Sequence, residues 1–88
     1  MTMQWDDVKG PRSFFGKAPV DIYKPIEIGE TAKLRSNRHE IKVKIIECQF
    51  DVIKGEVIDD SAEIGLVTLI NGDMVELKSQ NIVTLYRN

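Results

Sequence analysis

The sequence predicts an all-β fold, a small five-stranded barrel at residues 26–88 preceded by an irregular arm at residues 1–25. Three observations predict it. Apolar residues alternate at period two from Ile41 onward, turn residues recur between short β-branched runs, and no amphipathic segment of ordinary helix length could supply an outer layer. A glycine inside one of the runs adds the bend or close backbone approach that small barrels need.

Residues 1–25 carry no sustained period. Trp5, Phe14 and Phe15 are scattered among Gly10, Pro11, Gly16, Pro19 and Pro25, which interrupt helix and sheet patterns alike. Aromatic rings are costly to leave in water, so the arm is expected to lay them over an end or an edge of the barrel. Base stacking by Trp5 or by the Phe14–Phe15 pair is the competing use. Residues 26–40 read two ways: Ile26-Glu27-Ile28 alternates as a short strand, while residues 30–34 fit one helical turn. Ser36-Asn37-Arg38 then reads as a turn.

Ile41, Val43 and Ile45 against Lys42 and Lys44 mark the first clear strand. Residues 52–58 form the second, with Gly55 at its centre, and Asp59-Asp60-Ser61 closes it. The nearly continuous apolar run at 64–70 is expected to be the most buried strand. Asn71-Gly72 follows directly, the strongest short hairpin signal, since both central residues of a type I′ turn take positive φ; it would pair 64–70 with 73–78. Residues 74–78 alternate cleanly, Ser79-Gln80 is a very short connection, and 81–86 form the last strand. Short strands and tight turns of this kind fit a bent barrel of SH3-like/Sm-like or OB type.

An 88-residue chain buries only about 60% of its extended surface on folding, which leaves its stability marginal unless something supports it. Cys48 is the only cysteine, and no Cys/His cluster exists to hold a structural metal, so oligomerisation is the remaining ordinary support. Twelve basic against fourteen acidic residues give a net charge of −2, which argues against a general polyanion binder; any nucleic-acid site must be local. The start lacks the basic and apolar regions of a signal peptide, and no window approaches the ~18 apolar residues of a membrane span, so a cytoplasmic protein without a membrane partner is expected.

Catalytic chemistry is not expected, and neither is a cofactor or a metal. His39 and Cys48 could only serve as a nucleophile pair if they met in space, and Cys48 lies in a strand-like run that suits a small buried hydrophobe. No glycine-rich phosphate loop is present. Asp59 and Asp60 with Glu56 or Glu63 resemble a cation site in composition, but adjacent aspartates at a strand end ordinarily serve the turn. Lys9, Arg12 and Lys17 in the arm are spaced like a solvated surface. Arg35 and Arg38 are spaced similarly, and beside a pore they could touch phosphate.

The spacing of residues in the second half resembles the Sm/LSm family. Gly55, Val57, Ser61 and Ile64-Gly65-Leu66 fall at the spacings of its first motif, with Ser61 where the family has aspartate and Gly65 where it has asparagine. Lys78-Ser79-Gln80-Asn81-Ile82-Val83 is similar to its second motif, with Ser79 in place of glycine. The resemblance implies a ring of about five to seven subunits, in which the fourth barrel strand of one copy pairs with the fifth of the next. The short, proline-free last strands want such cover in any case. It also implies that uridine- or adenine-rich single-stranded RNA binds near the pore, in RNA or DNA processing or regulation, with single-stranded DNA as the alternative ligand. The candidate nucleic-acid-binding residues are then Lys78, Ser79, Gln80, Asn81 and Ser61, with Arg35 and Arg38 beside them. The competing expectation is an SH3/Tudor-like protein-interaction module or a small phage-type structural or regulatory protein.

Overall fold

Period-two alternation organises the molecule, which is mostly β in a computed structural model describing residues 4–16, 20, 22–64 and 67–87. The strands are β1 (Ser13–Gly16), β2 (Thr31–Ser36), β3 (His39–Cys48), β4 (Ile53–Val57), β5 (Ser61–Ile64), β6 (Val67–Ile70), β7 (Met74–Leu77) and β8 (Ile82–Arg87), with a single 3-10 turn at Ser79–Asn81. Six of them form one sheet in the order β1-β8-β2-β3-β4-β7, while β5 pairs with β6 alone.

β3 is the spine of the large sheet. Its first half pairs antiparallel with β2 and its second half with β4, and the ladder shifts register between Ile45 and Glu47. A bulge at that place bends the strand and strengthens its twist. Ile41, Val43 and Ile45 are buried while Glu40, Lys42 and Lys44 face water, as the alternation predicts. They join Ala32, Leu34, Val57, Val75, Ile82 and Leu85 in one core cluster. Because a single sheet face supplies these residues, the sheet curls around its own core; the β5–β6 hairpin contributes Ile64 and Leu69, and Trp5 completes the cluster.

Four expectations need correction. Among the described residues the strands number eight, not five, and the barrel is not closed, because the outer strands β1 and β7 do not bond each other. Residues 30–34 do not form a helical turn: Ala32 and Leu34 alternate inward with Lys33 and Arg35, and the adjacent β3 and β8 satisfy the backbone as a strand. The stretch 64–70 is broken into β5 and β6, which pair with each other through Ile64 and Val67, so it is neither one strand nor the most buried one; Gly65 and Leu66 lie outside the described residues. The pairing of 64–70 with 73–78 is likewise absent, since β7 pairs with β4.

Asn71-Gly72 is nevertheless a turn. The Asp73 N–H donates to the Ile70 carbonyl at 3.0 Å, and Gly72 alone of the two central residues takes positive φ, as a type II turn requires. The two-residue connection with positive φ at both positions occurs instead at Asn37 (47°) and Arg38 (77°), between β2 and β3. The arm is also less irregular than expected, since β1 lies parallel along β8. The expectation for its aromatics holds for Trp5, only 6% exposed in the core, and for Phe14, packed against it. Phe15 stays exposed, with its ring centroid 5.7 Å from that of Tyr86. Lys17 and Pro19 lie outside the described residues.

The mid-strand glycine admits a side chain rather than a bend or a second backbone, because a Cβ at Gly55 would stand 2.7 Å from Val43 Cγ2. Gly55→Ala should therefore cost about 1–3 kcal/mol by overpacking. Gly72 has nothing within 4 Å of an added Cβ but sits at φ +97°, so Gly72→Val should cost about 1 kcal/mol or more through backbone strain alone. Urea titration should show lower midpoints for both with unchanged slopes; a native midpoint for either removes the corresponding role.

Candidate ligand-binding face around the 78–81 turn

The turn between β7 and β8 is built by one asparagine. The Lys78 N–H donates to Asn81 Oδ1 at 2.8 Å, and the Asn81 N–H returns to the Lys78 carbonyl at 2.9 Å. Asn81 Nδ2 donates to Asp7 Oδ1 at 3.0 Å and reaches the Asp6 carbonyl at 3.4 Å. Both ends of this buried amide are thus committed, and the side chain holds the loop rather than facing a ligand.

The arm locks onto the same turn. The Val8 N–H donates to the Gln80 carbonyl at 2.8 Å, the Trp5 indole N–H to the Glu76 carbonyl at 2.9 Å, and Arg12 Nη2 to Ser79 O and Oγ at 3.0 and 2.6 Å. Asp6 anchors the other side, where its N–H donates to the Arg35 carbonyl at 2.8 Å and its carboxylate accepts from the Asn37 N–H.

Three grooves meet here. One of about 340 Å³ is lined by Trp5, Asp7, Glu76, Lys78 and Gln80. A second, of about 540 Å³, lies between the turn and the β3–β4 connection and is lined by Ile26, Phe50, Asp51, Ile53, Lys78 and Gln80. The third, of about 320 Å³, runs past Val8, Gly10, Arg12, Ser79 and Gln80. Phe50 is 100% exposed at the rim of the second. Among the described residues neither Lys78 nor Arg12 makes an ion pair, and Asp7, Asp51 and Glu76 line the two grooves that Lys78 lines.

Lys78, Ser79 and Gln80 are therefore brought together, while the other candidates lie apart. Arg35 is engaged by Glu40, Nη2 to Oε2, at 2.6 Å, and Arg38 sits exposed in the β2–β3 turn. Ser61 begins β5, beyond the Glu56–Met74 end of the β4–β7 pair, whereas Lys78 follows the Ile53–Leu77 end. Sequence reasoning missed Phe50 and undervalued Arg12. An aromatic at a turn between two strands was the available sign for Phe50; the approach of Arg12 to Ser79 depends on a tertiary contact that spacing does not encode.

His39 and Cys48 stand at opposite ends of a ten-residue strand, roughly 30 Å apart at ordinary rise. Cys48 is exposed rather than buried, although its cross-strand partner Ile53 belongs to the core. Partial burial and nearby Glu30 raise its pKa, which keeps the thiol protonated. Asp59 is engaged as well, but by β3 rather than by its own turn, since its carboxylate accepts the Lys42 N–H at 2.9 Å. Among the described residues no group of three or more His, Cys, Asp or Glu could hold a metal, and no helix is long and apolar enough to cross a membrane. No family model, curated protein or solved structure matches the chain.

Asn81→Ala should destabilise by about 1–3 kcal/mol, since it strands the Lys78 N–H and frees the arm. Asn81→Asp should cost more, because it sets a second carboxylate against Asp7; equal denaturation midpoints for the variants and the native chain would exclude this role. The hydrogen bond from Arg35 depresses the Glu40 pKa, so the pair stabilises the fold at neutral pH and loses that contribution as pH falls through the depressed value. Both side chains are well exposed, which limits the cost of Glu40→Gln at neutral pH to less than about 1 kcal/mol. The difference from the native chain should vanish in acid, as read by thermal midpoints across pH.

Proposed function

We propose that this protein is a non-catalytic, SH3/Tudor-like protein-interaction module that docks an extended segment of a partner in the groove between Phe50 and the 78–81 turn. The observation that carries this reading is Phe50, fully exposed beside an apolar floor formed by Ile26 and Ile53. A large apolar ring held in water and rimmed by Lys78, Gln80 and Asp51 suits an anchor for another protein. The strand order β8-β2-β3-β4-β7, with a 3-10 turn before the last strand, supports an SH3-like arrangement.

Binding of single strands in an Sm-like ring would use the same Lys78, Ser79 and Gln80. Local charge favours protein over nucleic acid, because three carboxylates accompany Lys78 in its two grooves and the chain is acidic overall. The free side of β8 is covered by β1, and the Trp5 indole bonds the Glu76 carbonyl on the outer strand β7. The β8 edge is thus taken by β1, and Trp5 occupies one outward carbonyl of the β7 edge, so the module is proposed to work as a monomer.

A random peptide library panned on the immobilised chain tests this. It should enrich peptides with a bulky apolar side chain whose affinity falls about tenfold or more in Phe50→Ser, while the thermal midpoint of that variant stays native. Failure to enrich, or equal binding to both proteins, overturns the docking groove. Salt-sensitive binding of oligo-U or oligo-A that is lost in Lys78→Ala, with a ring mass by light scattering, replaces it with the nucleic-acid reading.

A further inference from the structure

Arg12 has more capacity than its place in the arm uses. Its bonds to Ser79 O and Oγ both leave from Nη2. A guanidinium carries five N–H donors, so the three on Nε and Nη1 have no acceptor among the described residues. Its neighbour Arg87 differs, with Nε 2.9 Å from the Glu30 carboxylate and Nη2 donating to the Pro25 carbonyl at 3.1 Å. Burial first, and the charge of Arg87 second, pull the Arg12 pKa below its ordinary value. The free protein thus holds an unmatched, half-buried cation whose cost a negative partner would relieve.

We propose that the open side of Arg12 is a seat for a carboxylate, supplied by an Asp or Glu side chain of the docked protein segment. Nη2 is committed to Ser79, and Nε and Nη1 share no edge of the guanidinium, so a carboxylate oxygen accepts singly from Nε or Nη1, and the groove of about 320 Å³ that Arg12 lines admits the group. That groove shares Ser79 and Gln80 with the Phe50 groove, so the two lie on either side of one turn. A monoanion fits better than a phosphate dianion, because Arg87 is already matched by Glu30 and offers no second free charge. This inference rests on the protein-docking reading, and it specifies the partner as a segment with an acidic residue near its apolar anchor.

The seat can be tested apart from the groove. The blocked tripeptide acetyl-Ala-Glu-Ala-amide, its Gln counterpart and inorganic phosphate are titrated into the native chain, with the Arg12 Nε–Hε signal and the Ser79 and Gln80 amides followed by NMR. The Glu peptide should shift these signals saturably and the Gln peptide should not. Arg12→Gln should weaken binding about tenfold, the loss of one charge-assisted pair. Arg12→Lys, which keeps the charge but loses the donors on Nε and Nη1, should weaken it as well, with Trp5 fluorescence reporting whether the arm stays docked. Phe50→Ser should leave tripeptide binding unchanged, because this probe has no apolar anchor, so failure of the groove leaves this result standing. Absence of a saturable shift, equal shifts with the Gln peptide, native affinity in Arg12→Gln with the arm docked, or preference for phosphate overturns the carboxylate seat.

Discussion

The placement of the arm against the outer strand is the contact on which the rest of the molecule depends. In the β4–β7 ladder Val57 donates to the Asp73 carbonyl, so by alternation Val75 and Leu77 also turn their backbone groups toward β4, and Met74 and Glu76 turn theirs outward. The Trp5 indole takes the outward carbonyl of Glu76 while its ring enters the core. One side chain thereby satisfies one outward carbonyl of that edge and removes a large apolar surface from water. β1 performs the edge task on β8, where it adds as a parallel strand. A chain too small for a generous core thus draws support from residues 4–16.

The same contacts fix the candidate site. Asn81 spends its amide on the turn and the arm, which leaves Lys78, Ser79 and Gln80 on a loop held from inside. A loop fixed in this way loses little freedom when it binds, so weak contacts along it add to affinity with a small ordering cost. The grooves are places where the arm and the β3–β4 connection approach this loop without closing on it.

What the sequence made legible follows the range of the signal. β3 was readable because Ile41, Val43 and Ile45 alternate against lysines, and Gly55 because a glycine within a strand has few physical uses. β2 was hidden because Ala32 and Leu34, two apart, also fit a helical turn, and only the pairing with β3 and β8 decides between them. β1 was unreadable for a similar reason: Ser13–Gly16 has no period of its own and becomes a strand by docking on β8. At the site, the connecting turn and its polar residues were apparent, whereas the inward commitment of Asn81 and the reach of Arg12 to Ser79 require contacts between segments more than sixty positions apart.

Two unfavourable features of the free molecule stand on either side of that turn. Phe50 exposes a full ring to water, and Arg12 keeps a partly desolvated charge without a counter-ion among the described residues. Neither contributes to the core, and the fold gives each an unobstructed face. Features that cost the free state and are relieved by the same ligand act together in binding, since their relief appears only in the complex. A polyanion would relieve Arg12 but would meet Asp7, Asp51 and Glu76 along the grooves. A short segment with one apolar and one acidic side chain relieves both features and avoids that repulsion, so the geometry discriminates by charge pattern as well as by shape.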